Sequence, residues 1–335
     1  MSKRREAAAI MLAVCIFLTI TYGLGGLLLP QRPNFGATWG RFLQEERNSL
    51  DVLFFGSSVV YCDVVPAVVW QESGLTSYVM AGPEQTLAIT CRYVREACKT
   101  QSPQAVVVEL SGLFFDRYPE AMKPNLLYMP WGAERIGATL QGAAPEDWPE
   151  LFFPLFTSHD RVYSATWEDI SSHLRPQADD YAGYTLMDEA HPISRRPDRE
   201  MDTDSDTFRE NLAYLREISD FCAQQDIQLI LYLGPAYCTM AQDALDELRA
   251  GAAEIPGAAF FDCNTEAWPQ FDPWHQWYDA LHLNVAGAVP FSRRLGQELK
   301  ALGLEGRHSA YSALWQERYE LVTAEYEAIL SSGNS

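Results

Sequence analysis

Two serines, Ser57 and Ser58, follow Gly56 directly after the apolar run 52–55, and late in the chain Asp279 stands three residues before His282. A serine hydroxyl is a weak nucleophile until a base takes its proton. A histidine does this near neutral pH, and a carboxylate held against its far nitrogen fixes the tautomer and steadies the imidazolium. Ser58, His282 and Asp279 are the residues whose types and spacing fit those three roles. A separation of three on one local turn lets the Asp and His side chains converge. The plain alternative for the first stretch is a Gly-Ser turn that closes a core strand. His159, His173, His191, His275 and His308 are read as surface or packed histidines without such company.

These residues need a frame to bring them together. The apolar runs 51–55, 77–80, 105–110, 227–233 and 258–262 have the length and composition of buried parallel strands. Between them lie helical stretches at 64–73, 84–99, 207–225, 241–250 and 287–302, and a further helix at 315–330. Strand and helix alternating in this way predict an α/β fold, a doubly wound sheet of five parallel strands. Ser57 and Ser58 then sit at the carboxyl rim, where open α/β sheets bind ligands. Residues 117–206, rich in Pro, Trp and Tyr, interrupt the alternation and read as an insertion over that rim, a lid or acceptor surface, with helical pieces at 133–139 and 160–173. Trp131, Trp148, Trp167, Trp274 and Trp277 offer faces for stacking on sugars, with core packing as the plainer role.

The net charge of the 335-residue chain is −20, which argues against nucleic-acid binding. Residues 7–29 carry no charge and as a helix would span about 34 Å, enough to cross a bilayer core. Lys3, Arg4 and Arg5 precede them. The positive-inside rule therefore predicts a cytoplasmic tail at 1–6, a membrane anchor at 7–29, and everything beyond outside the cytoplasm, with 30–50 as a tether. A cleaved signal peptide is the rival reading, but its apolar region would be long and no small-x-small site follows. The seven cysteines form no C-x-x-C and have no His at metal spacing, so neither a zinc site nor any cofactor is implied, and most read as free, buried thiols.

Gly56-Ser-Ser-Val59 resembles the G-D-S-L block of the SGNH (GDSL-type) hydrolases, and Asp279-Ala-Leu-His282 resembles their late D-x-x-H block. The resemblance covers residues 51–303, leaving 304–335 as a C-terminal helical extension. It implies a flavodoxin-like three-layer α/β/α sandwich with Ser58 as nucleophile. It also implies an oxyanion hole from the Ser58 N–H, Gly82 and a third donor. The family's asparagine at that third position is absent from the stretch 109–113, and Ser111 or a backbone N–H is the stand-in. With the anchor, the motifs resemble membrane-anchored members that modify envelope polymers, as in teichoic-acid D-alanylation and alginate O-acetylation. Such proteins imply a polysaccharide or polyol substrate and a membrane-bound O-acyltransferase partner.

The expected function is serine-dependent acyl transfer or ester hydrolysis outside the cytoplasm. The alternative is a catalytically silent SGNH-like module that binds glycan or scaffolds an acyltransferase. A secreted lipase fits less well, because the chain is anchored and no broad apolar lid is evident. The α/β-hydrolase elbow G-x-S-x-G is absent, since Val60 holds the place of its second glycine. No Walker sequence or dinucleotide glycine fingerprint follows any strand.

Overall fold

Strands that are apolar on both faces need cover on both faces. The computed structural model describes residues 3–29, 39–174 and 178–332. The chain opens with α1 (Lys3–Leu28) and the short α2 (Trp39–Phe42). It continues through β1 (Val52–Gly56), α3 (Ser58–Asp63), α4 (Pro66–Ser73), β2 (Ser77–Ala81), α5 (Leu87–Ala97) and β3 (Ala105–Glu109). The insertion holds α6 (Pro119–Leu126), α7 (Ala133–Gly142), α8 (Trp148–Phe152), α9 (Pro154–Ser158), α10 (Trp167–Leu174) and the two-residue β4 (Asp198–Arg199). After it come α11 (Asp206–Gln224), β5 (Gln228–Leu233), β6 (Thr239–Met240), α12 (Gln242–Ala253), β7 (Ala259–Asp262), α13 (Val285–Ala301) and α14 (Ser312–Ser332).

The five expected strands form one parallel sheet in the order β2-β1-β3-β5-β7, and β4 pairs with β6 apart from it. Alternate side chains of each strand enter two separate cores. Leu53, Phe55, Val106, Val108, Leu229 and Leu231 meet α5, α11 and α12 on one face. Phe54, Val79, Val107 and Ile230 meet α3, α4 and α13 on the other. Registers of Gly56 beside Ala81 and Phe55 beside Val108 bring the ends of β1, β2 and β3 to one rim. Side-chain caps start the helices that frame it: Thr86 accepts from the Ile89 N–H, Ser205 from Phe208 and Asn284 from Gly287.

α1 is long and apolar enough to cross a membrane, and none of its most apolar window is buried inside the protein. Residues 39–50, expected within the tether, are instead part of the domain. Trp39, Phe42 and Leu50 are buried, and the first two stack edge-on against Tyr93 and Tyr78. The rest of the tether, 30–38, lies outside the described residues. All seven cysteines are free thiols. The C-terminal helix, whose role the sequence leaves open, packs on α4 and buries Trp315 and Val322.

The insertion divides in two. Its first half, from α6 to α10, packs on α5 and turns towards α1, touching the rim through Asn125 of α6, which abuts Gly82. Its second half also reaches the carboxyl ends of the strands, where Thr185 N–H donates to Tyr61 O and Val285 N–H to Met187 O.

Candidate active site

The turn after β1 decides where the serines point. Gly56 has φ of 152°, a conformation side-chain-bearing residues resist, and a Cβ there would lie 2.6 Å from Val60 and 3.0 Å from Glu109. The chain then enters α3 at once, a helix the sequence reading does not contain. Ser57 becomes its N-cap residue, and its hydroxyl is buried without a hydrogen-bond partner among the described residues. Ser58 occupies the first turn and faces His282.

Ser58 Oγ lies 2.7 Å from His282 Nε2, and His282 Nδ1 lies 2.9 and 2.8 Å from the two Asp279 oxygens. A serine donating to Nε2 while Nδ1–H donates to the carboxylate is the tautomer nucleophile activation requires. Asp279 also accepts the N–H groups of Leu281 at 2.8 Å and His282 at 3.0 Å. Burial opposes ionisation of Asp279. The His282 hydrogen bond and charge and the two N–H donors outweigh it and hold the carboxyl below its ordinary value. The base and its orienting acid therefore share one tight loop, closed where Tyr278 N–H donates to His282 O at 2.9 Å.

That loop is tied to the helix carrying the nucleophile. Asp63, the last residue of α3, accepts the Leu283 N–H at 2.8 Å. Asp63 is fully buried, and burial pushes its carboxyl well above the ordinary range. Ser292 Oγ, from α13, donates to Asp63 O and accepts the Val65 N–H. α3 thus fixes Ser58 at one end and the His282 loop at the other.

The expected oxyanion donors are placed less simply. The Gly82 N–H donates to Gly56 O at 3.3 Å. Ser111 is directed elsewhere. Its N–H and hydroxyl both donate to Glu109, at 3.0 and 2.7 Å, and its Oγ accepts from Arg199 at 2.9 Å. Ser111 is a strut of a buried acid–arginine cluster, so it has no donor free for an oxyanion. Burial raises the pKa of Glu109, against the Arg199 charge and the Ser111 and Gly234 donors.

Three neighbours escape sequence reasoning. Tyr61, one turn beyond Ser58 on α3, interacts with Ser58 through its side chain. Burial pushes its phenol up, so it stays protonated. The spacing of three would have signalled it, had α3 been expected. Asn125, from α6, abuts Gly82, where an added Cβ would lie 1.8 Å from Asn125 Oδ1. Its Nδ2 donates to Pro83 O and Ala121 O. Nothing in the sequence connects these distant positions. Arg199 reaches Ser111 from β4, inside the stretch 117–206 read as an insertion.

Asp272 and His275 repeat the spacing of the late pair. His275, expected to lack company, contacts Asp272, yet both are exposed and His275 meets no serine. Among the tryptophans, Trp277 is buried, Trp148 packs on the core, and Trp131, Trp167 and Trp274 are exposed.

No protein-family model matches the chain, and no curated protein matches it.

Proposed function

We propose that the chain is a membrane-anchored serine acyltransferase or esterase of SGNH type, acting outside the cytoplasm on a hydroxyl-rich envelope glycan or polyol. One observation carries the reading: Ser58 Oγ at 2.7 Å from His282 Nε2, with Nδ1 of the same ring on Asp279. The strand order, with β1 in second place, supports the flavodoxin-like three-layer sandwich that the SGNH reading implies. The apolar α1 behind Lys3, Arg4 and Arg5 supports the anchor and its orientation.

In this reading His282 Nε2 takes the Ser58 proton as Oγ attacks the carbonyl carbon of an ester. Oγ–C forms, and the carbonyl becomes an oxyanion beside the Ser58 N–H. The imidazolium, steadied by Asp279, gives its proton to the departing alkoxide, and the C–O bond to the leaving group breaks. The acyl group on Ser58 then passes by the same steps in reverse to an acceptor hydroxyl, or to water. A membrane-bound O-acyltransferase that supplies the acyl group completes the proposal.

The spent donors of Ser111 and the inward N–H of Gly82 favour a second reading, a catalytically silent module that binds glycan or scaffolds an acyltransferase. Removing one oxyanion donor costs on the order of 10²–10³ in rate, so an incomplete hole matters. The two readings separate when full-length protein in detergent is treated with a fluorophosphonate and peptide-mapped. A single adduct on Ser58, lost in His282→Ala, supports the enzyme. Folded protein that takes no adduct and turns over no acetyl ester in membranes supports the binding module.

A further inference from the structure

The first half of the insertion leaves large apolar side chains in the open on one stretch. Phe153, Phe156, Val162, Tyr163 and Trp167 are between 38% and 95% exposed. Isolated exposed apolar residues need no explanation, but a cluster of this size marks an interaction surface. Its location limits the partner. α9, the 3-10 turn His159–Tyr163 and α10 all pack against α1.

This contact is built rather than incidental. α9 approaches the backbone of α1 so closely that a Cβ on Gly25 would lie 2.4 Å from Leu155 N. Ser158 Oγ donates to Gly25 O at 3.2 Å, and His173 Nε2 lies 2.8 Å from Leu29 O. The apolar stretch is therefore held alongside α1.

The depth of the contact can be read along α1. Arg135 donates to the Tyr22 hydroxyl at 3.2 Å, and the Tyr22 ring meets Trp131 edge-on at 5.3 Å. The Arg135 guanidinium also lies 5.2 Å from the Trp131 ring centre. Aromatic rings with polar tips, backed by a cation, suit the boundary between water and lipid. Phe17 and Leu18 lie four to five residues earlier, roughly 6–8 Å further along the helix. At that level Phe17, Leu18 and Thr21 of α1 face Phe153, Leu155 and Phe156 across an almost wholly apolar groove of about 600 Å³. If α1 crosses a bilayer, this groove lies below the aromatic boundary. Asp160 and Arg161 belong in the headgroup layer, which makes the insertion shallow, on the order of 5–10 Å as for an interfacial helix.

We infer that the segment from Phe153 to Trp167 is seated in the leaflet facing the globular domain, with lipid acyl chains filling the groove between Phe17 and Phe156. This rests on the proposed reading of α1 as a membrane anchor. The seat holds the domain, and with it the Ser58 rim, at a set height and tilt above the lipid instead of letting it swing on a tether.

The test uses full-length protein, alone with phospholipid in nanodiscs, in a Cys15→Ser, Cys98→Ser background. A nitroxide is attached in turn to Phe156→Cys, Tyr163→Cys, Phe17→Cys in α1 and Glu247→Cys on the exposed face of α12. Accessibility to dissolved oxygen is compared with accessibility to a water-soluble nickel chelate. The inference expects an oxygen-to-nickel ratio at 156 several-fold above that at 247 and comparable to that at 17, with 163 in between. A ratio at 156 and 163 equal to that at 247, while 17 stays shielded, overturns the lipid seat and leaves the anchor standing. The cover for this patch would then be a protein. Water-like values at 17 as well overturn the anchor and the seat together.

Discussion

Ser58 donates its hydrogen bond to His282 and has a second neighbour in Tyr61, whose buried phenol remains protonated and interacts with Ser58 through its side chain. That contact holds the Ser58 hydroxyl in place while the proton leaves towards His282. Tyr61→Phe keeps the ring in its core position and removes only the hydroxyl. A neutral hydrogen bond contributes about 1 kcal/mol, so kcat for acetyl-ester turnover should fall about fivefold. KM should stay unchanged, and the stability read from the urea midpoint should fall by no more than about 1 kcal/mol. A shifted midpoint with unchanged kcat would assign Tyr61 to packing alone. At this scale the sequence is informative about Ser58, Asp279 and His282 because their chemistry needs a fixed spacing or a fixed turn. It misleads at Ser111, because a donor after a strand looks free until its acceptor is known. Glu109, two residues earlier at the end of a central strand, was the available sign: a buried carboxylate there must recruit neighbouring donors.

The strands β1, β2 and β3 were legible for a simple reason: both faces of each are buried, so each is written as a largely apolar run. The missing helix α3 has the opposite cause. Its six residues include Val59 and Val60, poor helix formers, and its N-cap serine makes no capping bond. Tertiary contacts through Asp63 and Ser292 hold it, and these carry no local signal. The same holds for α14, which docks through a buried pair. Arg318 lies 2.6 Å from Glu45, with side chains 2% and 5% exposed, and its guanidinium stacks on Trp315 at 4.8 Å. Burial raises the Glu45 carboxyl above its ordinary 4.5 even with Arg318 beside it. Arg318→Met keeps the stem and removes the charge, leaving Glu45 buried without its cation. The expected loss is about 3–5 kcal/mol at neutral pH by urea denaturation. The sign with pH follows from the raised value. An ionised Glu45 in the folded state is the costly form, so the penalty grows as pH rises from 4.5 through the raised value and levels off above it. It shrinks on acidification towards pH 4.5, where Glu45 takes up a proton. A loss independent of pH would mean that Arg318 acts through its contact with Trp315.

Across the whole molecule the first half of the insertion is a strut between α1 and the sheet. On the sheet side Arg92, from α5, pairs with Glu134 at 3.1 Å, and the Tyr93 hydroxyl donates to Asn125 O. On the other side α9 lies on Gly25. Neither contact was legible, since residues distant in sequence meet through backbone proximity rather than a motif. Gly25→Val tests whether the strut is rigid. Its branched side chain would meet the backbone of α9, not a side chain that can swing aside. Overpacking of this kind costs about 1–3 kcal/mol, and cleavage of a transiently opened segment follows its equilibrium population. Trypsin should therefore cut at Arg161 of the full-length variant in nanodiscs roughly 5- to 150-fold faster than in the wild type. The urea midpoint of the sheet domain should not move, because Gly25 touches neither of its cores. Equal cleavage rates would mean that α9 is held by lipid or by α8 rather than by α1. A fall in midpoint together with faster cleavage would mean that strut and sheet unfold as one unit, so that losing the seat on α1 would also disturb the rim that carries Ser58.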